Sequence, residues 1–299
     1  MIAALLPTQR LVDAVGPVDG VELVVWRGDG PPPRDDAELV VPDYARGRDA
    51  LAMLDALPGL RVVQLQTAGY DGVLELVPER VTVANARGVH DDATAELALG
   101  LTIASLRGID IAVRETGTWR QDTRRRSLAD SRVAILGYGS IGRAVAERMV
   151  ACRAVVTAVA SSPREDDLVG RVVTAAEVDW PAQHVVVVVL PLSETTRHVV
   201  DAAFLARLCD DALVVNVGRG PLLDTDAVLA EAGRLRFALD VTDPEPLPAD
   251  HPLWTAPGVL VTPHIAGGTT AMLPRIAALV RDQLERLRDD RPLRNVVTG

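Results

Sequence analysis

The sequence predicts an α/β protein with two lobes, each built on a parallel sheet covered by helices. Short apolar runs alternate with helical segments along the chain, which is the pattern of βα units. Five consecutive valines at 185–189 are typical of a strand that is buried on both faces of such a sheet. The length of 299 residues suits two lobes of ordinary size.

The first lobe is predicted from strands that lie before about residue 90. The apolar runs that predict these strands are Ile2–Leu6, Val21–Trp26, Glu38–Val41, Arg61–Gln66 and Val81–Ala84. The segment Arg48–Leu57 is predicted to be helical and ends before Pro58-Gly59. The N-terminus lacks a basic region, and Pro7 interrupts its apolar run, so it is interpreted as the first strand rather than a signal peptide.

Two long helical stretches flank the second lobe. The stretch from Asp91 to about Thr116 has apolar residues at helical spacing and is predicted to bridge the lobes. A loop at residues 117–120, which carries Trp119, follows it. The amphipathic stretch from about Thr270 to Arg288 is predicted to return to the first lobe.

The second lobe is predicted to be a doubly wound sheet, because strands and helices alternate from Arg132 onward. The predicted strands are Arg132–Leu136, Val155–Ala160, Val172–Thr174, Val185–Leu190, Ala212–Val217, Phe237–Val241 and Val259–Thr262.

The segment Gly137–Gly142 has the pattern G-x-G-x-x-G between an apolar strand and a helical pattern. In a dinucleotide site, Gly137 allows the sharp turn, Gly139 lets the backbone approach a pyrophosphate, and Gly142 lets the helix pack closely on the strand. The helix N-terminus then offers N–H groups and partial positive charge to the anion. The strand and helix on either side favour this interpretation over a structural glycine turn.

Composition and charge exclude several classes of function. The net charge of −10 argues against a nucleic-acid groove, and the basic run Arg124–Arg126 is too short to reverse that. No apolar run approaches the ~20 residues of a membrane span, and no histidine or cysteine spacing resembles a metal site. Cys152 and Cys209 lie in apolar contexts and are predicted to be reduced, which indicates the cytoplasm.

Three polar segments follow strands of the second lobe: Asn216–Gly220, Asp240–Pro248 and Thr262–Gly268. Arg219 lies between glycines, and its guanidinium can bind a carboxylate through two hydrogen bonds. Glu245 lies between two prolines, which stiffen its backbone. His264 follows the last strand. Individually, Arg219 could pair with a surface acid, Glu245 could be a solvated carboxylate, and His264 could cap a carbonyl.

These three side chains are expected at the same sheet edge as the glycine loop, where together they suit hydride transfer to a 2-keto acid. That reaction needs a cation for the carboxylate, a proton donor for the carbonyl oxygen, and a group that keeps the donor protonated. Arg219, His264 and Glu245 match these needs, since a nearby carboxylate raises the pKa of a histidine. In the oxidative direction, neutral His264 would accept the hydroxyl proton.

At this point the chain resembles a known family, the D-isomer-specific 2-hydroxyacid dehydrogenases, over nearly its whole length. The matching segments are Gly137–Gly142, Pro191–Thr196, Asn216–Gly220, Leu239–Val241, Pro244–Leu247 and Thr262–Ile265. The resemblance implies two Rossmann-like lobes, a flavodoxin-like substrate lobe (1–95 and 268–299) and a doubly wound dinucleotide-binding lobe (96–267), with the active site in the cleft. It also implies a homodimer formed through the cofactor lobe, with Trp119 on an arm that reaches the neighbouring site.

The resemblance assigns roles to individual residues. Arg219 would hold the substrate carboxylate together with backbone N–H groups of Ala68 and Gly69, and His264 would be the acid/base oriented by Glu245. The similar formate dehydrogenases pair this histidine with glutamine, so Glu245 argues against formate. The cofactor would be contacted by Gly137, Tyr138, Gly139, Ser140, Ile141, Gly142, Ser161, Ser162, Arg164, Pro191, Thr196, Val217, Asp240, His264 and Gly267, with Asp240 on the nicotinamide carboxamide.

The end of the second strand of this lobe predicts NADP(H) over NAD(H). NAD enzymes usually place an acid there for the ribose 2′-hydroxyl. Here Ser161 and Ser162 stand at the strand end, and Arg164 can face a 2′-phosphate. The acids at 165–167 follow at once and could partly neutralise Arg164. No metal is expected.

The leading hypothesis is therefore a reductase of small 2-keto acids such as glyoxylate or hydroxypyruvate. One alternative is an NAD-linked D-2-hydroxyacid or phosphoglycerate dehydrogenase. The missing acid at the second strand and the lack of a further domain after Thr298-Gly299 weigh against the phosphoglycerate enzyme. Another is a corepressor-like protein that senses NAD(H). Specificity is expected from Pro42–Tyr44, Gln66–Tyr70 and a partner's Trp119.

Overall fold

The computed structural model describes residues 1–117, 119, 121 and 125–297, and at positions 47 and 48 it describes the backbone alone. Several residues of the predicted features lie outside this description: Thr118 and Arg120 of the predicted loop, Arg124 of the basic run, and Thr298-Gly299. The chain divides into two compact units. Unit 1 comprises Met1–His90 and Thr269–Gly299, and unit 2 comprises Asp91–Gly268.

The described residues form seven α-helices: α1 Gln9–Val15, α2 Asp91–Arg107, α3 Ile109–Arg114, α4 Ser140–Ala151, α5 Ala202–Leu205, α6 Thr225–Glu231 and α7 Met272–Arg288. Among these residues, no helix is both long enough and apolar enough to cross a bilayer.

Unit 1 is built on five parallel strands: β1 Ile2–Leu6, β2 Val21–Val25, β3 Leu39–Val40, β4 Val62–Gln64 and β5 Thr82–Ala84. Their order in the sheet is β2-β1-β3-β4-β5, which is the flavodoxin-like order. α7 packs against α1, and its buried face, which includes Ile276, Val280 and Leu284, contributes to the core of this unit. The predicted return of the last helix to the first lobe is confirmed.

The predicted helix at Arg48–Leu57 is not a continuous α-helix. The backbone forms two 3₁₀ segments instead, Tyr44–Leu51 and Leu54–Ala56. Gly47 lies inside the first 3₁₀ segment and disfavours a longer helix that would begin before Arg48, and Pro58-Gly59 ends the segment on the other side. Leu51 and Leu54 are still buried in the core.

Unit 2 is built on six parallel strands: β6 Arg132–Leu136, β7 Val155–Val159, β10 Val185–Val188, β11 Leu213–Asn216, β12 Arg236–Leu239 and β13 Val259–Val261. Their order is β13-β12-β11-β10-β6-β7, so the chain reverses its direction of progress at β6. This confirms the doubly wound sheet. The glycine loop follows β6, at the topological switch point where such sheets bind their ligands.

The predicted strand at Val172–Thr174 is not a full member of this sheet. The chain instead forms an antiparallel hairpin from β8 Arg164–Asp166 and β9 Gly170–Val172. Val173, which follows β9, forms an isolated parallel bridge with Val159 of β7. A sequence-local turn at residues 167–169 favours hairpin pairing over a long crossover.

The predicted stretch from Asp91 to Thr116 is interrupted at Gly108. Gly108 has a φ of 62°, and this left-handed conformation ends α2 before α3 begins. A Cβ at this position would also lie 2.8 Å from the Arg125 guanidinium carbon. α2 belongs to unit 2, where it packs against α4 and β11.

Candidate active site

The polar segments predicted from the sequence meet along one edge of the unit 2 sheet. Because β6, β10, β11, β12 and β13 are parallel, their carboxyl ends lie on the same side. Gly137, Val217, Asp240 and Thr262 directly follow their strands, and Pro191 lies three residues after β10. This is the edge at which open α/β sheets bind ligands.

His264 and Glu245 form the central pair of this edge. His264 Nδ1 lies 2.5 Å from Glu245 Oε1. Because a carboxylate only accepts hydrogen bonds, Nδ1–H is the donor, and Nε2 is the nitrogen left for a ligand. The two side chains are 43% and 41% exposed, so both remain accessible.

The pair changes the pKa of both partners. The hydrogen bond to Glu245 raises the pKa of His264 above its ordinary value, although partial burial and the charge of Arg219 oppose the rise. The hydrogen bond from His264 lowers the pKa of Glu245, against the opposing effect of burial. The arrangement therefore favours an imidazolium beside a carboxylate.

The loop that carries His264 is held by Asp240, whose side chain is only 1% exposed. Asp240 Oδ1 accepts hydrogen bonds from Thr262 Oγ1 at 2.7 Å and from Ile265 N at 2.9 Å, and Oδ2 accepts from Ala266 N at 3.0 Å. His264 has a φ of 50°, a left-handed conformation that a non-glycine residue keeps only where its surroundings enforce it. Sequence reasoning assigned Asp240 to the cofactor alone and missed this anchoring role.

Arg219 is positioned by a second buried residue that sequence reasoning gave no role. Asn216 is 0% exposed, its Nδ2 donates to Arg219 O at 2.8 Å, and its Oδ1 accepts from Gly218 N at 3.0 Å. A Cβ on Gly220 would overlap the carbonyl of Thr242, so the turn after Arg219 packs directly on the segment that leads to Glu245. A polar residue at a strand end followed by glycines was the available signal.

The three glycines of the motif have different surroundings. Gly137 has a φ of 111°, and a Cβ there would lie 2.7 Å from Val189 O. A Cβ on Gly142 would overlap the Gly137 carbonyl oxygen, so α4 approaches its strand closely. A Cβ on Gly139 would meet nothing within 4 Å. The open side of Gly139, at the N-terminus of the 12-residue α4, leaves room for a pyrophosphate and fits a dinucleotide.

The predicted cofactor segment Pro191–Thr196 folds into a closed turn. Thr196 Oγ1 donates to Pro191 O at 2.8 Å and accepts from Ser193 N at 2.8 Å. This turn follows β10, the strand beside β6, so it lies next to the glycine loop on the sheet.

The strand end predicted to select the cofactor carries exposed Ser161, Ser162 and Arg164. Arg164 does not pair with the acids that follow it in any described contact. Its Nη2 donates to Tyr138 O at 2.6 Å. Asp166 pairs with Arg143 instead, at 2.7 Å.

In unit 1, the predicted substrate segment is held through its carbonyl groups. Asn85 Nδ2 donates to Ala68 O at 2.7 Å, and Thr67 Oγ1 donates to Gly69 O at 2.6 Å. The contact of the Ala68 and Gly69 N–H groups with a carboxylate stays a prediction.

The two segments predicted to set specificity are neighbours within unit 1. Gln66 Nε2 donates to Pro42 O at 2.8 Å, and the ring of Tyr44 lies 6.0 Å from that of His90. His90 is buried, and its Nε2 donates to Gln66 O at 2.6 Å. Sequence reasoning gave no role to His90, which ties these two segments together.

Comparison with known proteins gives a family for this chain. Residues 99–266 match the model of the NAD-binding domain of D-isomer-specific 2-hydroxyacid dehydrogenases. The chain is 30% identical to a glyoxylate reductase of Korarchaeum cryptofilum over 88% of its own length and 85% of the relative's. It is 31% identical to a glyoxylate/hydroxypyruvate reductase A of Arabidopsis thaliana, with 84% and 82% covered.

A solved structure shares the fold of the whole chain. The NADPH-dependent glyoxylate/hydroxypyruvate reductase of Sinorhizobium meliloti, in complex with NADP and sulfate, is 26% identical, with a TM-score of 0.84. The comparison covers 99% of this chain and 98% of that protein. With the paired histidine and glutamate, the glycine loop and the parallel sheets described above, these matches show that the chain belongs to the D-isomer-specific 2-hydroxyacid dehydrogenase family of NAD(P)-dependent oxidoreductases.

Proposed function

We propose that this enzyme reduces small 2-keto acids to D-2-hydroxy acids with NADPH, and that glyoxylate and hydroxypyruvate are the first substrates to test. The observation that carries the proposal is the hydrogen-bonded pair of His264 Nδ1 and Glu245 Oε1, which lie 2.5 Å apart. The charge of Arg219 is close enough to this pair to lower the pKa of His264. The names of the relatives support this substrate class.

Substrate binding is assigned to Arg219 and to the backbone of Ala68 and Gly69. A guanidinium can bind both oxygens of a carboxylate, which fixes the plane of the keto acid as well as its position. The buried Asn216 supports this role because it holds the backbone turn from which Arg219 projects.

Proton transfer is assigned to His264 Nε2. In the reductive direction, the imidazolium donates its Nε2 proton to the carbonyl oxygen of the keto acid, while Nδ1–H keeps its hydrogen bond to Glu245. In the oxidative direction, neutral Nε2 accepts the hydroxyl proton. Glu245 stabilises the charged imidazole and fixes the ring orientation.

The cofactor is assigned to the edge formed by the glycine loop, the Pro191–Thr196 turn, and residues Val217, Asp240 and Gly267. When bound, the nicotinamide supplies or accepts the hydride. We propose NADP(H) as the preferred form, because Ser161, Ser162 and Arg164 are exposed at the strand end. The Sinorhizobium meliloti enzyme, which was solved with NADP, supports this preference.

We propose a homodimer formed through unit 2. Ile109 and Val113 are one helical turn apart on α3 and are 47% and 68% exposed, and Trp119 is 97% exposed. The buried core of a homodimer interface is more apolar than the rest of the surface, and tryptophan is enriched there. Light scattering of the purified protein would give twice the chain mass if the proposal holds, and a monomer at micromolar concentration would contradict it.

We also propose a cytoplasmic location. Cys152 and Cys209 are both free thiols. Free thiols fit a reducing compartment, whereas disulfides persist mainly outside it. Fractionation of cells that express the protein should recover it with cytoplasmic markers, and recovery in a secreted fraction would contradict the proposal.

Initial rates of NADPH and NADH oxidation with glyoxylate, hydroxypyruvate, pyruvate and phenylpyruvate test the main proposal. We expect turnover with glyoxylate or hydroxypyruvate and a higher kcat/KM with NADPH. Turnover with NADH preferred would keep the reaction and overturn the cofactor preference. Folded protein that binds the cofactor but turns over none of these acids would favour a sensing role.

A further inference from the structure

The hairpin of β8 and β9 is attached to the glycine loop through Tyr138, the second residue of the motif. Tyr138 is only 4% exposed, and its hydroxyl donates to Asp166 Oδ1 at 2.9 Å. Arg164 lies on the same strand two residues earlier, its guanidinium carbon 5.6 Å from the centre of the Tyr138 ring. Side chains two residues apart on a strand share one face, so both face the tyrosine.

Asp166 is the junction of this arrangement. In addition to Tyr138, its Oδ1 accepts from Leu168 N at 3.0 Å and Val169 N at 3.2 Å, which closes the hairpin turn. Its Oδ2 accepts from Arg143 Nη1 on α4 at 2.7 Å. One carboxylate therefore joins the hairpin turn, the first helix after the glycine loop, and the loop itself.

These contacts also determine which charges face a ligand. The carboxylate of Asp166 is engaged by Arg143, the Tyr138 hydroxyl and two backbone N–H groups, so it is not presented to a ribose hydroxyl. Arg164 donates to the Tyr138 carbonyl and remains exposed beside the glycine loop. The acids next to Arg164 in the sequence thus leave its charge available.

From this geometry we infer that Asp166 is a positioning residue for cofactor selection: it holds the hairpin on Tyr138 and thereby fixes Arg164 where it recognises a phosphate monoester on the ribose of a dinucleotide. The inference rests on the proposed use of NADP(H) and names a residue that controls it indirectly. Asp166 itself touches no cofactor in this account.

The direction in which one substitution changes phosphate binding distinguishes this positioning role from a purely electrostatic one. A carboxylate near a phosphate repels it, so Asp166→Asn should strengthen phosphate binding if only charge matters. If Asp166 positions Arg164, the same substitution should weaken that binding. Asp167→Asn is the matched control, because Asp167 also pairs with Arg143, at 2.9 Å, but is 84% exposed.

The experiment is calorimetric titration of the full chain with 2′,5′-ADP and with 5′-AMP, which differ only in the 2′-phosphate. We expect Asp166→Asn to raise the dissociation constant of 2′,5′-ADP about tenfold, which corresponds to the loss of roughly one charge-assisted contact. The dissociation constant of 5′-AMP should change less than about twofold. Asp167→Asn should change the ratio of the two dissociation constants by less than about twofold.

Two further variants test the chain of contacts. Tyr138→Phe removes the bond to Asp166 without changing charge and should shift the ratio in the same direction, by less than Asp166→Asn. Arg164→Gln should lower the preference for 2′,5′-ADP by at least as much as Asp166→Asn. A normal ratio for Arg164→Gln overturns the inference, because the positioned group would then be irrelevant.

The remaining outcomes also decide the matter. Stronger binding of 2′,5′-ADP by both asparagine variants overturns the inference in favour of charge alone. Equal weakening of both nucleotides indicates a general structural role and overturns it as well, as does a wild-type protein with no preference for 2′,5′-ADP. None of these titrations requires turnover, so a failure of the reductase proposal is recognised separately, by the absence of keto-acid reduction.

Discussion

The candidate catalytic edge, meaning the edge of the unit 2 sheet that carries Arg219, Glu245 and His264, and the hairpin over the glycine loop both present charged side chains. They fix these side chains by different means. At the catalytic edge, His264 and Arg219 project from backbone turns that are held by the buried residues Asp240 and Asn216. At the hairpin, Arg164 is held on the buried Tyr138, and Asp166 ties the hairpin to Tyr138 and to the partly exposed Arg143.

This difference indicates which part of the enzyme tolerates change. Hydrogen bonds that a buried carboxylate accepts from backbone N–H groups are costly to leave unmade, so the conformation of the loop that carries His264 is strongly determined. A solvent-exposed ion pair contributes little to the free energy of folding, so its residues can be substituted without unfolding the protein. We therefore expect chemistry to be conserved at the catalytic edge when residues around it are substituted, whereas cofactor preference responds to single changes in the hairpin.

The largest expected effect comes from His264→Asn. Asparagine tolerates the left-handed backbone at this position, where φ is 50°, so the loop is retained while the acid/base is lost. We expect kcat/KM for keto-acid reduction to fall by about 10²–10⁴, a much larger effect than any change in cofactor affinity. Steady-state kinetics and fluorescence titration of NADPH measure the two quantities.

His198→Asn is the matched control for this variant. His198 also has a left-handed backbone, with a φ of 52°, and it is exposed outside the catalytic edge. Its kinetics should remain close to those of the unmodified enzyme. If the two asparagine variants behave alike, His264 is not the acid/base, and the functional difference between the two regions disappears.

Arg219→Lys should give the next largest effect. Lysine keeps the positive charge but cannot form two parallel hydrogen bonds to a carboxylate. We expect kcat/KM for the keto acid to fall roughly 10–100-fold, the loss of about one strong charge-assisted bond, while the dissociation constant of the cofactor stays unchanged. Arg197→Lys, an exposed arginine 3.8 Å from Asp243, serves as the control. Unchanged keto-acid kinetics would contradict the role of Arg219.

The placement of the candidate site residues at one sheet edge was largely predictable from the sequence. Arg219, Glu245 and His264 each follow a strand of a parallel sheet, and parallel strands bring their carboxyl ends together whatever the details of packing. Their anchors were not predicted, because Asn216 and Asp240 act through hydrogen bonds to backbone groups near residues 218 and 265. Such partners depend on the conformation of loops, which spacing along the chain does not specify.

The hairpin shows where sequence reasoning reached its limit. Val172–Thr174 has the composition of a sheet strand, but Val172 pairs with Arg164 in the hairpin and only Val173 forms a bridge to β7, because β propensity does not choose partners. For the same reason, the sequence left open that the acids after Arg164 partly neutralise it. In the structure, Asp166 pairs with Arg143, which lies more than 20 residues earlier.

Two glycines of one motif give a smaller effect that separates binding from folding. A Cβ on Gly139 meets nothing within 4 Å, so Gly139→Ala should leave the melting temperature unchanged. Because the Cβ would occupy the space for the pyrophosphate, the affinities for NADPH and NADH should both fall about tenfold. A Cβ on Gly142 overlaps the Gly137 carbonyl, so Gly142→Ala should lower the melting temperature. Calorimetry and titration distinguish the two, and normal cofactor affinity in Gly139→Ala would contradict the glycine-loop site.

Glu245→Gln should have the smallest effect on kcat/KM at acidic pH, and its effect should grow as the pH rises. The hydrogen bond to Glu245 is the main cause that raises the pKa of His264. Reduction needs the protonated imidazole, so its rate is full below the raised pKa and declines as the pH passes through it. Glutamine still accepts the Nδ1–H bond but carries no charge, so the pKa of His264 falls and the decline moves to lower pH.

The pH profile of kcat/KM therefore separates the electrostatic role of Glu245 from a purely orienting one. Well below the pKa of His264, the Glu245→Gln variant should approach the rate of the unmodified enzyme, because the imidazole is charged in both. Above neutrality, its rate should fall increasingly behind. Asp250→Asn, an exposed carboxylate in the same loop, should keep the original profile. A uniform loss at every pH would mean that Glu245 only orients the ring, and the catalytic edge would then depend on geometry rather than on charge.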